Sequence, residues 1–314
     1  MLASMPDCQL CGGHHPDEVA VCPQARTGQT IDKYVVGPLL GIGGIAAVYA
    51  AEHPVLGTQV ALKVLHKRWA KDAELTKRFV REARETAALG HPAFVRVHDA
   101  GTTPDGCAYI EMDRLAGRDL FSLRKAEGPL APELVVKIAI DTLDALAALH
   151  TRGTIHRDLK SANIYLVPSD GAGIQIKLLD LGFAKANDAL AITTKDQMLG
   201  TPFYISPEQY LDPTAVDARA DLFSLGIVMW ETLVGDFPYE WQNKRDLLSK
   251  VMHGKLERHP RARRPDVPEW LDAIVAKVLA HNKEERFESA LAMKAALEQQ
   301  KEPEKPGLFK RIFG

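Results

Sequence analysis

The pattern of hydrophobic and polar positions divides the chain into a strand-rich first part and a helix-rich second part. Short stretches with β-branched and aromatic residues, separated by turn residues, predict antiparallel strands. The predicted strands are Tyr34–Leu40, Ala47–His53, Gln59–Leu65, Val95–Gly101 and Cys107–Met112. One helix interrupts them, from about Asp72 to Leu89, because Gly90-His91-Pro92 would stop it.

After Leu115 the pattern is mostly helical. The helix Asp221–Val234 would be apolar nearly all round, as in a helix buried inside a lobe. Two strands, Ile164–Val167 and Gln175–Leu178, would flank the loop Pro168–Gly173. Other predicted helices are Pro132–Thr151, Asn243–Met252, Glu269–Ala280 and Ser289–Gln300. A strand-rich part followed by a helix-rich part predicts an α+β fold of two lobes with a cleft between them.

The composition changes at both ends of this pattern. Residues 1–30 are rich in Cys, His, Pro and Gly, which predicts a small appendage outside the main core. We expect one lobe over 34–114, a second over 115–300, and a loose charged tail over 301–314. A chain of 314 residues with 46% hydrophobic content can bury a core without covalent staples.

Charge and cysteine content exclude several classes of function. A formal net charge of -2 argues against whole-protein affinity for nucleic acid or an anionic membrane. The most apolar run, Leu222–Val234, is interrupted by Glu231 and is too short to cross a bilayer. With no secretory signal and only four cysteines, we expect a reducing, cytoplasmic location. The oligomeric state, including a homodimer, is left open.

Two motifs of the first part point to phosphate binding. In Leu40-Gly41-Ile42-Gly43-Gly44-Ile45-Ala46 the glycines would let backbone N–H groups approach phosphate oxygens, although this motif taken alone favours an ordinary glycine hairpin. Lys63 follows Val60-Ala61-Leu62, so its ammonium would be partly desolvated and would need an anion. ATP phosphates or Glu82 in the following helix would serve, and the alternative is an edge-strand lysine that reaches water.

Two motifs of the second part point to hydroxyl activation and metal binding. Asp158 could accept a proton, with Lys160 beside it and the amide oxygen of Asn163 five residues on. Asp180 ends a strand and precedes a turn glycine, so it could share Mg²⁺ with Asn163. Each motif taken alone also fits a solvated loop or a helix cap.

Together these motifs resemble the Hanks-type (eukaryotic-like) protein kinase family over Tyr34 to Gln300. The resemblance depends on their order as well as their residues. The set is the glycine loop, Val60-Ala61-Leu62-Lys63, Glu82, His156-Arg157-Asp158 with Asn163, Asp180-Leu181-Gly182, Ser206-Pro207-Glu208, Asp221 and Arg286. It implies the two-lobed protein kinase fold, with an antiparallel-sheet N-lobe carrying one helix and a mainly helical C-lobe.

The resemblance also implies a role for each motif residue. Asp158 would be the catalytic base or would orient the substrate hydroxyl, and Lys160 would steady the transferring phosphoryl group. Lys63 would hold the α- and β-phosphates and pair with Glu82. Met112 would be the gatekeeper, with the hinge at Asp113 to Leu115, and Asn163 and Asp180 would bind Mg²⁺. The implied ATP-binding residues are Gly41, Ile42, Gly43, Gly44, Val48, Ala61, Lys63, Met112, Asp113, Leu115, Asn163 and Asp180.

Other family positions would support the site without touching the nucleotide. Glu208 and Arg286 would form a buried ion pair, and Asp221 would hold the catalytic loop, Ile155–Ile164, through backbone N–H groups. The sequence departs from the family pattern at Ala46, where the third glycine is expected, and at Leu181, where phenylalanine is usual. We expect Ala46 to alter ATP affinity or rate and Leu181 still to pack.

The expected function is a serine/threonine protein kinase that transfers the γ-phosphoryl group of Mg-ATP to protein substrates. Lys160 after Asp158-Leu159, and Gly200-Thr201-Pro202-Phe203-Tyr204, resemble the serine/threonine branch, and the glycine loop resembles bacterial members. The alternatives are a pseudokinase scaffold, which would need a missing catalytic group, and a metal-dependent interaction module.

The segment from Asp180 to Glu208 is a candidate for control by phosphorylation. Thr193 and Thr194 lie in its polar middle, and a phosphothreonine there could pair with Arg157. The alternative is that both threonines are solvated loop residues.

The N-terminal residues form a candidate zinc site. Cys8, Cys11 and Cys22 supply three thiolates, and the two-residue gap between the first pair suits a tetrahedral ion. His15 is the preferred fourth ligand, because it leaves a longer loop from Cys11 than His14 does. Four protein ligands would make a structural site, and a disordered or redox-active tail is the alternative.

Elemental analysis of protein purified without added metal tests this zinc site. We expect about one zinc per chain, lost in the double variant Cys8→Ser, Cys22→Ser, since a structural site needs its full ligand set. Kinase activity should survive the substitutions, because the appendage carries no catalytic group. A ratio near zero in both proteins would contradict the prediction.

Overall fold

The computed structural model describes residue 22 and residues 26–169, 173–181 and 202–300. Backbone contacts divide the chain into two compact units. The first contains the described residues up to Gly90 together with Val95–Leu115, and the second contains His91–Phe94 and the described residues from Ala116 onward. The expected α+β organisation, with strands first and helices afterwards, is confirmed.

The first unit is a six-stranded antiparallel sheet with one helix. The strands are β1 (Thr30–Ile31), β2 (Tyr34–Ile42), β3 (Ala46–Glu52), β4 (Gln59–Leu65), β5 (Val97–Thr102) and β6 (Ala108–Asp113), in the order β1-β2-β3-β4-β6-β5. Helix α1 (Ala73–Leu89) begins where the Asp72 side chain accepts a hydrogen bond from Leu75 N at 2.9 Å. It ends at Gly90, whose φ of 60° lies in the left-handed region that favours glycine.

Apolar side chains are buried on both faces of this sheet. On one face Phe79 and Ala83 of α1 pack against Leu65 and Ile110 of the strands. The opposite face buries a second cluster that contains Tyr34, Val36, Tyr49, Leu62, Cys107 and Tyr109. Both clusters therefore belong to the first compact unit.

The sheet begins earlier than the sequence pattern predicted. β1 pairs with β2 before Tyr34, and Arg26 forms a two-pronged ion pair with Asp105, at 3.1 and 3.0 Å. Burial alone would raise the pKa of Asp105, but hydrogen bonds from Arg26 and Thr103 lower it to about 2. The residues from Arg26 therefore belong to the sheet unit, which differs from the expected boundary at residue 30.

The second unit is mainly helical, with a small three-stranded sheet. Its helices are α2 (Leu120–Glu127), α3 (Pro132–His150), α4 (Pro207–Leu211), α5 (Arg219–Val234), α6 (Lys244–Met252), α7 (Glu269–Val278) and α8 (Ala290–Gln300). Its strands are β7 (Arg118–Asp119), β8 (Ile164–Ser169) and β9 (Gly173–Leu178). The strand pair is longer than predicted, since β8 and β9 extend into the stretch expected to be a loop.

Helix α5 is the core of the second unit. Every residue from Ala220 to Leu233 is buried, as the apolar pattern predicted. A Cβ at Gly226 would lie 2.6 Å from Val278 Cγ1, so the glycine is needed for the close approach of the end of α7. None of the helices in the described ranges has the length and apolar character needed to span a membrane.

Candidate active site

In the first unit, Lys63 and Glu82 form a buried ion pair. The Nζ of Lys63 on β4 donates to Oε1 of Glu82 on α1 at 3.0 Å, and the two residues are 8% and 7% exposed. The ring of Phe79 lies 5.7 Å from the same ammonium. An ammonium group carries three N–H donors and no acceptor, so a buried lysine at this position suits an anionic ligand.

The strand register aligns several of the implied ATP-binding residues. Gly41 on β2 pairs with Val48 on β3, and Val48 in turn pairs with Lys63 on β4. Two residues earlier on β4, Ala61 pairs with Met112 on β6. The sheet therefore places these five residues on neighbouring strands. Asp113 and Leu115, also in the implied set, are both partly exposed.

Ala46, which departs from the family glycine pattern, is buried in the cluster between the sheet and α1. It is 4% exposed and packs with Leu65 and Ile110. Its methyl group contributes to this apolar core, which explains in physical terms how the loop tolerates a side chain there.

In the second unit, Asp221 holds the catalytic loop as the resemblance implied. Its carboxylate accepts hydrogen bonds from the backbone N–H of His156 at 2.8 Å and of Arg157 at 2.9 Å. His150, at the end of α3, adds a third contact through Nε2 at 2.8 Å. Arg157 has a φ of 61°, so these bonds hold a non-glycine residue in the left-handed region.

The catalytic loop brings Asp158, Lys160 and Asn163 together. The Nζ of Lys160 donates to Oδ2 of Asp158 at 3.1 Å, and Nδ2 of Asn163 donates to the carbonyl oxygen of Asp158 at 2.9 Å. The backbone N–H of Leu179 donates to the carbonyl of Asn163 at 2.9 Å, so Asp180 follows one residue after this contact. Asn163 and Asp180 therefore lie at the same end of the β8–β9 pair.

The donor set at this end fits Mg²⁺. The carboxamide nitrogen of Asn163 is committed to Asp158, and its Oδ1 accepts no hydrogen bond from any described residue. Asp180 supplies carboxylate oxygens from a backbone with a φ of 50°. Hard oxygen ligands of this kind, completed by phosphate oxygens and water, are those that Mg²⁺ prefers. Leu181, next in the chain, is 2% exposed, so it packs as predicted.

His156 contacts Asp221 through its backbone N–H group and not through its side chain. Its side chain is fully buried, and neither ring nitrogen has a partner among the described residues. Burial lowers the pKa of His156 despite the nearby carboxylates, so the imidazole is neutral at neutral pH.

A second polar cluster, which the sequence motifs do not include, lies beside the catalytic loop. The Tyr204 hydroxyl lies 2.6 Å from Oε2 of Glu231 and 2.9 Å from Oγ of Ser161. Arg124 on α2 donates to Oε1 of Glu231 at 2.8 Å. Burial, followed by the neighbouring carboxylate, raises the pKa of Tyr204, so it stays a neutral phenol. The signal was Glu231, a charge within an apolar helix, which needs partners when buried.

Several predicted residues lie outside the described ranges. They are Cys8, Cys11 and His15 of the candidate zinc site, Gly182, and the threonines Thr193 and Thr194. Cys22 is described and is partly buried. Within the described ranges, no three His, Cys, Asp or Glu side chains are grouped to hold a metal ion. The zinc site and the cytoplasmic location therefore stay predictions.

Comparison with known proteins defines the class. A family model described as protein kinase domain matches residues 34–299. Serine/threonine-protein kinase PknB of Mycolicibacterium smegmatis is 38% identical over 272 residues, which is 85% of this chain and 42% of that protein. Serine/threonine-protein kinase Pkn1 of Myxococcus xanthus is 38% identical over 82% of this chain and 37% of that protein. The crystal structure of the Mycobacterium tuberculosis PknI kinase domain is 29% identical, with a TM-score of 0.66, and the match covers 87% of this chain and 98% of that one.

The chain therefore belongs to the protein kinase domain family, and its fold is the protein kinase fold. The resemblance to Hanks-type kinases, bacterial ones in particular, is confirmed. The chain spans about two fifths of the length of these curated relatives.

The predicted ion pair between Glu208 and Arg286 is present. The guanidinium donates to both carboxylate oxygens, at 2.7 and 2.9 Å, and the Arg286 side chain is completely buried. Arg286 also donates to the carbonyl of Ala280 at 2.8 Å and lies 4.8 Å from the Phe223 ring. The arginine thus joins the start of α4, the start of α5 and the segment after α7.

Replacement of Arg286 tests how much this pair stabilises the helical unit. We expect Arg286→Met to lower the free energy of unfolding by about 3–5 kcal/mol, because it leaves the Glu208 charge buried without its partner. The control is Glu284→Gln, which breaks the Arg219 ion pair at a carboxylate that is 63% exposed and should cost under about 1 kcal/mol. Denaturant unfolding followed by tryptophan fluorescence gives both values. Equal losses in the two variants would contradict the prediction.

Proposed function

We propose that this chain is a serine/threonine protein kinase that transfers the γ-phosphoryl group of ATP to hydroxyl groups of protein substrates. The observation that carries the proposal is the contact of Asp158 with Lys160 and Asn163, in a loop whose backbone is held by Asp221. The curated relatives named serine/threonine-protein kinases support the choice of acceptor.

In this proposal the residues of the first unit bind the nucleotide. Lys63 donates to the α- and β-phosphates, and its ion pair with Glu82 orients the ammonium group. The glycine loop offers backbone N–H groups to the phosphates, since its residues there carry no bulky side chain. Ala61, Val48 and Met112 present apolar surface to the adenine ring.

The residues of the second unit act on the transferred group. Asp158 accepts a hydrogen bond from the substrate hydroxyl and orients it for in-line attack, and Lys160 stabilises the negative charge that develops on the phosphoryl oxygens. Bound Mg²⁺ would neutralise phosphate charge as a Lewis acid. Asn163 and Asp180 would hold it through oxygen ligands.

The pseudokinase alternative lacks a supporting observation. It requires the loss of a chemical group, yet Lys63, Asp158, Asn163 and Asp180 are all present in the sequence. A metal-dependent interaction module would need the N-terminal cysteines alone to carry the function. Both alternatives predict a chain that does not transfer phosphate.

Substitution of Asp158 tests the proposal directly. Asp158→Asn should lower phosphoryl transfer to a generic basic protein substrate by roughly a thousandfold or more, because the amide cannot accept the hydroxyl proton. ATP binding should stay largely intact, whereas Asp180→Asn should weaken Mg-ATP binding as well as turnover. Radiolabelled ATP gives the rates, and nucleotide titration gives the dissociation constants.

A matched control is Asp236→Asn, which makes the same chemical change at a carboxylate that is 71% exposed. This variant should keep wild-type rates. Wild-type turnover by Asp158→Asn at saturating Mg-ATP would disprove the assignment of the catalytic loop.

We further propose that phosphorylation of Thr193 or Thr194 regulates the enzyme. Arg157 sits beside Asp158 and supplies a cation with which a phosphothreonine could pair. Mass spectrometry of active enzyme should find at least one of these threonines phosphorylated, and the double alanine variant should lose activity. Unmodified threonines together with a fully active double variant would refute this regulation.

A further inference from the structure

The tip of the glycine loop is tied to the segment that directly follows β4. The Nε2 of His66 lies 2.8 Å from the carbonyl oxygen of Gly43, and since a carbonyl only accepts, the imidazole is the donor. The backbone N–H of His66 donates to the carbonyl of Ile45 at 2.8 Å. Burial lowers the pKa of His66, so at neutral pH it is the neutral imidazole with its proton on Nε2.

The next carbonyl of the loop is held by the same segment. The Nη2 of Arg68 donates to the carbonyl of Gly44 at 2.6 Å, and Nε1 of Trp69 lies 3.4 Å from the same oxygen. A charged donor at this distance makes the stronger of the two bonds. The backbone N–H of Gly43 donates to the carbonyl of Ala46 at 2.9 Å. Four consecutive carbonyl groups at the loop tip are therefore occupied.

This pattern fixes the direction of the backbone N–H groups. In a trans peptide the C=O and the following N–H point in opposite directions, and the described chain has no cis peptide bond. Because the carbonyls of Gly43 and Gly44 face His66 and Arg68, the N–H groups of Gly44 and Ile45 face away from them. Neither N–H has a partner among the described residues. Adjacent backbone N–H groups with a common direction form an anion-binding concavity.

We propose that His66 and Arg68 are positioning residues for the nucleotide. They do not touch it, but they hold the loop carbonyls so that the N–H groups of Gly44 and Ile45 stand ready for phosphate oxygens. The inference rests on the proposed function, since ATP supplies the anion. It assigns to the segment after β4 a role in ATP affinity that its position in the sequence does not reveal.

The test compares single substitutions in the chain of 314 residues. His66→Leu and Arg68→Met remove one donor each, His66→Gln keeps an N–H donor, and Lys67→Met is the matched control. Lys67 lies between His66 and Arg68 in the same segment. Its side chain is 62% exposed and pairs with Asp105 at 3.8 Å, not with the glycine loop. Three quantities are measured for each protein: the KM for ATP, kcat at saturating ATP, and the Kd of a fluorescent ATP analogue with Mg²⁺.

We expect His66→Leu and Arg68→Met each to raise KM and Kd by about two- to tenfold, the change that one lost hydrogen bond makes in a binding constant. Because chemistry depends on other residues, kcat should change by less than about twofold. His66→Gln should recover most of the affinity. Lys67→Met should match the wild type in all three quantities.

Two results would overturn the inference. One is an unchanged KM and Kd in both donor-removing variants, and the other is a loss confined to kcat and thermal stability, which a merely structural contact would produce. Binding is measured apart from turnover, so failure of the proposed function is distinguishable. A wild-type chain that binds the analogue but transfers no phosphate would refute the kinase proposal, and the Kd values would still decide the role of His66 and Arg68.

Discussion

The geometry of the catalytic loop depends on one buried carboxylate, that of Asp221. It is fully buried in the first turn of α5, where an ionised group is costly unless several donors surround it. Two backbone N–H groups of the loop and Nε2 of His150 are those donors. The loop supplies hydrogen-bond donors to the buried carboxylate, and the same hydrogen bonds fix the backbone of the loop. A long helix buried on all sides gives this interaction a rigid base.

The same helix carries a second buried charge that is held by hydrogen bonds, that of Glu231. Glu231 near its C-terminal end receives hydrogen bonds from Tyr204 and Arg124, and Oγ of Ser224 donates to the carbonyl of Tyr204 at 2.8 Å. Tyr204 also contacts Ser161. The segment before α4 and the catalytic loop both make hydrogen bonds to α5. A displacement of α5 would therefore disturb both.

Long elements with a clear period were predictable from the sequence, and short ones were not. α1 lies between a capping aspartate and a stopping glycine, and α5 shows its burial directly in its composition. β1 is two residues long and has no period to detect. α2 is short, although Asp119 and Gly128 at its ends were available signals. Pro168 made β8 look as if it ended early, yet a proline is tolerated there because β7 pairs with β8 only at Tyr165 and Leu166.

The chemical groups of the candidate site were also predictable from the sequence, because each lies in a short motif. What the sequence did not disclose were contacts between residues of ordinary identity. Nothing in His66 or Arg68 marks them as donors to Gly43 and Gly44, since such contacts depend on how the chain turns after β4. Glu231 differs from these residues, because a charged residue within an apolar helix indicates a buried charge that needs a partner.

The pairing of β1 with β2 limits how far this domain can be truncated at its N-terminal side. Sequence similarity to the family begins at residue 34, yet the chain from Arg26 supplies the outermost strand and neutralises Asp105. A chain shortened to residue 34 would leave the start of β2 as a bare sheet edge, with unpaired N–H and C=O groups able to recruit strands from other molecules. Residues 26–31 therefore cover the start of β2, which would otherwise be an exposed sheet edge.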